Sequence, residues 1–153
     1  MDKLIRKLER EGKVRKQTAS LVQVEALLKE SIKDLDEAKK IAHIATRATY
    51  LLAYNAMLKA GRALLFFKGY IPADGGQHKT VVEMTSAILG ENFRDLCDQF
   101  ESMRRKRNEL TYEAGLLLSD TDSQKAFADA RQIVKGVLEE VKSNNPQLEL
   151  EFK

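Results

Sequence analysis

The sequence predicts an all-α antiparallel helical bundle of about five main helices, preceded by a short N-terminal helical arm. Three observations carry this expectation. Apolar residues recur at three- and four-residue spacing over long stretches. Two prolines and eight glycines in 153 residues are too few for a turn-rich β protein. The long stretches are also rich in Leu, Ala, Lys and Glu, the residues that lose least on entering a helix. This length forms one domain, with a core that needs neither disulfide nor metal. It divides into a basic arm over residues 1–20, a bundle over 21–143 and a tail over 144–153.

The arm carries Leu4, Ile5, Leu8 and Val14 among many lysines and arginines, and Gly12 ends its short helix. It can lie on the bundle, cross to a partner or touch a polyanion. Thr18 or Ser20 caps the next helix, which runs from Leu21 to His43 on a stripe of Val24, Leu27, Leu28, Ile32, Leu35, Ala38 and Ile41. His43 closes it as a C-terminal cap. A second long helix reaches about Lys68. It is apolar over so much of its surface (Tyr50, Tyr54, Met57, Leu58, Leu64 and Leu65 among others) that it belongs at the centre. Its small residues Ala53, Ala56, Ala60 and Gly61 allow a neighbour to approach closely.

A loop over residues 69–78 follows, with Gly69, Pro72 and Gly75-Gly76 as its breakers. A shorter helix then runs to about Leu89, closed by Gly90, and His78 falls at its entrance. There it either caps the helix and locks the loop, or faces an anion beside exposed backbone N–H groups. The last helix extends to about Val141, with Asp120 and Asp122 at its capping turn. Asn144-Asn145-Pro146 breaks it before a tail that alternates Leu148, Leu150 and Phe152 with polar residues.

Between these lies the stretch from Asn92 to Leu118. Its stripe is Phe93, Leu96, Cys97, Phe100 and Met103, continued by Leu110, Ala114 and Leu117. At about 100° per residue, Arg107 lies roughly 20° from Phe100 and roughly 40° from Met103. A cation on a packing face is costly unless it is paired, hydrated or opposite an anion. Arg107 is therefore either structural, pairing with a buried or interfacial carboxylate or snorkelling to water, or a phosphate ligand. The neighbouring Arg104, Arg105 and Lys106 spread round the helix rather than forming one patch.

The chain shows no paired carboxylates, nucleophile with a base, Walker loop, metal cluster or cofactor motif. A net charge of +3 does not by itself mark a nucleic-acid binder. The single Cys97 excludes an internal disulfide, no apolar run approaches a membrane span, and no secretory leader is visible. A cytoplasmic protein is expected by elimination, with no membrane partner and no cofactor.

Three stretches resemble the HEPN domain family: AYNAMLKAGRALLFFKGY (Ala53 to Tyr70), GGQHKTVVEM (Gly75 to Met84) and RRKRNELTY (Arg104 to Tyr112). The resemblance spans roughly Leu21 to Val141. The family consists of small helical bundles that include RNA-cleaving toxins paired with minimal nucleotidyltransferase antitoxins. Its signature is an arginine, usually followed by Asn, Asp or His, then a histidine several residues on. Arg107 and Asn108 fit that signature, and Tyr112 occupies the histidine position.

The resemblance implies a homodimer in which two signature motifs face one cleft. There arginine holds the RNA phosphate, and histidine helps activate the ribose 2′-hydroxyl without metal. On this reading Arg107, Asn108 and Tyr112 form the signature site. Arg104, Arg105, Arg107, His78, Lys79 and Tyr54 contact nucleotide or RNA. The chain is then a nucleotide- or RNA-binding protein and one component of a toxin–antitoxin or nucleotidyltransferase pair. A phenol with a pKa near 10 is a poor general base at neutral pH, so ribonuclease activity is expected to be weak or absent. Tyr112 also points about 140° from Arg107 along an unbroken helix. The competing reading is a helical protein–protein adaptor in which Arg107 is structural.

Overall fold

A computed structural model of the chain describes residues 2–73, 77–112, 117–146, 148 and 150. These residues form six α-helices, α1 (Asp2–Arg10), α2 (Leu21–Ile41), α3 (Thr46–Phe67), α4 (Gln77–Leu89), α5 (Arg94–Tyr112) and α6 (Asp120–Asn144). A 3-10 turn, Glu91–Phe93, leads into α5, and two short strands, β1 (Val14–Lys16) and β2 (Tyr70–Pro72), complete the set. The fold is all-α, a helical bundle with one small sheet at its edge.

The helix starts follow from side-chain capping. Ser20 closes a full capping box on α2: its hydroxyl accepts from Gln23 N at 3.3 Å, while Gln23 Oε1 accepts from Ser20 N at 3.1 Å. Ser119, rather than Asp120 or Asp122, caps α6 by accepting from Asp122 N at 3.0 Å. The two acids sit inside its first turn, where they favour the positive end of the helix dipole. Helix α2 ends at Ile41, so His43 does not cap it. Its Nδ1 instead lies 3.3 Å from Gln124 Nε2, tying the α2–α3 turn to the start of α6.

Helix α3 is the centre of the bundle. It packs against α2, α4, α5 and α6, and its Ala53, Tyr54, Ala56, Met57, Ala60, Ala63, Leu64 and Leu65 are wholly buried. The small residues do what their size predicts. The Ser31 hydroxyl of α2 donates to Ala56 O at 2.7 Å. At Gly61, a Cβ would lie 2.7 Å from both Thr85 Oγ1 and Val81 Cγ1 of α4. Glycine thus sets how closely α4, which carries His78, can approach α3.

The segment expected as a plain loop contains β2, which pairs antiparallel with β1 of the arm in the register Val14 to Pro72, Arg15 to Ile71 and Lys16 to Tyr70. The arm lies in cis: Ile5, Leu8 and Val14 join the main core, and Gly12 takes the positive φ of 71° that turns the chain from α1 into β1. Of the tail, Leu148 and Leu150 are buried against the core. Two features of the long Asn92 to Leu118 stripe differ from expectation. Helix α5 is described only to Tyr112, so the expected continuation at Ala114 lies outside the described residues. Leu117 is 88% exposed and belongs to no helix. Among the described residues, no helix is long and apolar enough to cross a membrane.

Candidate anion site between α3, α4 and α5

Phe100, Met103 and Leu110 of α5 are buried against the core, and Arg107 emerges half-buried at the edge of their stripe. Phe100 meets Tyr54 of α3 with ring centroids 5.9 Å apart and planes tilted at 59°. The Tyr54 hydroxyl in turn lies 2.9 Å from His78 Nδ1. One aromatic chain therefore links α5, α3 and the first turn of α4.

The electrostatics of this junction are predominantly positive, with Glu101 the one opposing charge among the described residues that bears on Tyr54. His78 is held below its ordinary pKa of 6.5 by burial first, then by the charges of Arg107, Arg62 and Arg104. Tyr54 is pushed up to about 12 by burial, which outweighs the lowering effect of Arg107 and Arg104. Both groups are therefore neutral near pH 7. Tyr54 is completely buried, and among the described residues the partner of its hydroxyl is His78 Nδ1. A buried hydroxyl that donated to nothing would cost about 1–3 kcal/mol. Its hydrogen accordingly goes to Nδ1, which leaves the imidazole proton on Nε2 as a hydrogen-bond donor.

The arginines differ in their commitments. Arg104 pairs with Glu101 through its Nε. Arg107 donates from Nη1 to Asn108 Oδ1 at 3.3 Å, so Asn108 orients it without neutralising it. Among the described residues no carboxylate lies within ion-pair distance of Arg107 or Arg62. Two half-buried guanidiniums beside a neutral imidazole, with no carboxylate in ion-pair distance of either among the described residues, give this junction excess positive charge.

The fold brings together Arg107, Asn108, Arg104, His78 and Tyr54 of the expected residues, and it adds Arg62, which the sequence did not single out. The other expected residues stand apart. Arg105 is largely exposed on the outer face of α5, lining a groove with Asp98 and Glu109. Lys79 is exposed in the first turn of α4. Tyr112 is 81% exposed at the end of an unbroken α5, turned away from Arg107 as the helical period requires. Cys97 is buried, its thiol pushed up to about 11 by burial, and contributes packing rather than chemistry.

An all-α bundle with a cationic cluster around a histidine beside its arginine-bearing fifth helix defines a class of small helical domains. The sequence profile of the HEPN domain matches residues 24–141. That is well over half of the chain, and the protein belongs to the HEPN domain family. A comparison with curated proteins returned no match.

Proposed function

We propose that this HEPN domain binds single-stranded RNA through the anion site of Arg107, Arg62 and His78. The observation that carries this reading is a pair of half-buried arginines whose charges both bear on one neutral histidine and which, among the described residues, have no carboxylate partner. A phosphate accepts two parallel hydrogen bonds from a guanidinium, and Asn108 pre-orients Arg107 for that contact. Nε2–H of His78 supplies a further donor. Membership of the family supports a nucleotide- or RNA-related role.

The same geometry supports binding with weak or absent cleavage. Activating a ribose 2′-hydroxyl needs a group that is largely deprotonated near neutral pH and within reach of that hydroxyl. Tyr112 fails the first condition as a phenol, and it turns away from Arg107 within its own protomer. His78 is neutral, but its Nδ1 is taken by the Tyr54 hydroxyl and its proton sits on Nε2. The site therefore holds a phosphate without a base beside it.

The proposal extends to a homodimer that serves as one component of a toxin–antitoxin or nucleotidyltransferase pair. Support for the dimer comes from one end of the bundle. There the Arg47 guanidinium of α3 donates to Leu110 O of α5, and His43 meets α6. Around this end Ile44, Tyr112 and Leu117 are all more than four-fifths exposed. Tyr112 at the end of α5, with Ile44 of the α2–α3 turn and Leu117, suits a two-fold contact that includes the signature helix.

The test is RNA affinity by fluorescence anisotropy for wild type and Arg107→Ala, with circular dichroism to verify the fold. A charge-assisted contact contributes roughly 1.5–3 kcal/mol, so the variant should bind about 10- to 100-fold more weakly. Unchanged affinity would favour the adaptor reading, with Arg107 structural.

A further inference from the structure

Next to the anion site, an open groove of about 450 Å³ runs between α2, α3 and β2. Leu27, Phe66, Ile71 and Pro72 form its body, and Gln17 and Gln77 stand on its rim. Arg62 lines this groove and is also one of the charges bearing on His78. Gln77 directly precedes His78 in α4. The groove and the anion site are therefore two parts of one surface, sharing Arg62.

We propose that this groove is a nucleobase subsite, holding a base of the RNA strand whose phosphate lies against Arg107, Arg62 and His78. This rests on the RNA-binding reading above and names what sits beside the phosphate. The occupant has to be apolar where it meets Phe66, Ile71 and Pro72, and negatively charged where it meets Arg62. A nucleotide has that division, a flat base joined through a sugar to an anion. Phe66 is half-buried, which leaves ring surface for stacking, an interaction that every base can make. The two glutamine amides each present donors and an acceptor to a base edge. Helix α3 fixes the spacing between the halves, since Arg62 and Phe66 are one helical turn apart on it.

The experiment uses the full chain, a labelled single-stranded RNA and a ribose–phosphate oligomer of the same length lacking bases, measured by anisotropy. Wild type should bind the base-bearing strand about ten-fold or more tightly. Phe66→Ala should lose most of that preference and keep the salt dependence. Because Phe66 also touches the core, Ile71→Glu gives a second variant, placing a carboxylate on the groove wall. Equal affinity of wild type for the two oligomers overturns the proposal. So does a full preference retained in both variants at wild-type Tm. A dimer converted to monomer by Ile71→Glu with RNA affinity unchanged would assign the groove to a second copy of the chain and also overturn it. Equal affinities that still fall in Arg107→Ala remove the base subsite alone, whereas wild type that binds neither oligomer removes the RNA reading with it.

Discussion

The hydroxyl of Tyr54 lies 2.9 Å from Nδ1 of His78, joining a fully buried side chain of the central helix to a half-buried one at the entrance of α4. This contact decides which nitrogen of His78 carries a proton, and so whether the other ring nitrogen is a donor or a base. With the tyrosine kept protonated by burial, the other nitrogen is a donor. The three arginines that bear on the ring then make the whole junction attractive to an anion.

Acidification should expose the state of His78. Its folded pKa is depressed, by burial first and then by Arg107, Arg62 and Arg104, so the unfolded chain takes up a proton near pH 6.5 while the folded one resists. The unfolded state binds more protons in the window below that value. Stability contributed by the neutral imidazole is therefore present above pH 6.5 and lost as pH falls through the window. Thermal melts of wild type and His78→Asn at about pH 7.5 and about pH 5.5 should show a smaller acid-induced drop in Tm for the variant. Identical drops would mean that His78 titrates alike in both states.

Gly61 should tolerate no side chain. Alanine gains about 1 kcal/mol of helix propensity, but its Cβ meets Thr85 Oγ1 and Val81 Cγ1, both on wholly buried residues that have no room to swing aside. Overpacking of that kind costs roughly 1–3 kcal/mol. The expected net loss is about 1 kcal/mol, a Tm lower by about 2–4 °C. Because the displaced helix carries His78, RNA affinity should fall as well. A Gly61→Ala protein melting at or above the wild-type temperature would show that α4 is free to shift.

Tyr112 should matter little to RNA held by one protomer. Tyr112→Phe is expected to bind RNA within about two-fold of wild type, the usual range for an exposed side chain. Wild type, with chelator present, should leave a single-stranded RNA and its 2′-deoxy analogue equally intact. Tyr112→His places an imidazole with a pKa near 6.5 at that position. It should gain metal-independent cleavage only where dimerisation brings the new histidine to the Arg107 of the other subunit. Efficient wild-type cleavage that survives Arg107→Ala would contradict the account, because the activity would arise elsewhere.

How far the sequence discloses this arrangement depends on the range of the interaction concerned. The helices were legible because periodicity and capping are local: the stripe through Leu28 and Leu35, the capping residue Ser20, and the breaker Gly90 all speak within a turn or two. Arg107 was legible for the same reason, as a cation on the stripe of Phe100 and Met103. The strands were not, since three residues carry too little alternation to register and each is held by a partner far along the chain. Arg62 escaped notice because it joins the site through tertiary packing of α3 beside α4. Its one local signal was an arginine within the most apolar helix, between the buried Gly61 and Ala63. The inward turn of Leu148 and Leu150 likewise depends on the bundle they cover.

The central claim is that Arg107 and Arg62 together take RNA phosphate, and its most direct test is the salt dependence of binding. Each phosphate contact on a single strand contributes about −0.7 to the slope of log K against log salt. Anisotropy titrations over a range of salt should therefore give Arg107→Ala and Arg62→Ala slopes each shallower by about 0.7, and the double variant one shallower by about 1.4, with the fold retained. Wild-type slope and affinity in the folded double variant would contradict the account and leave the two arginines as structural residues.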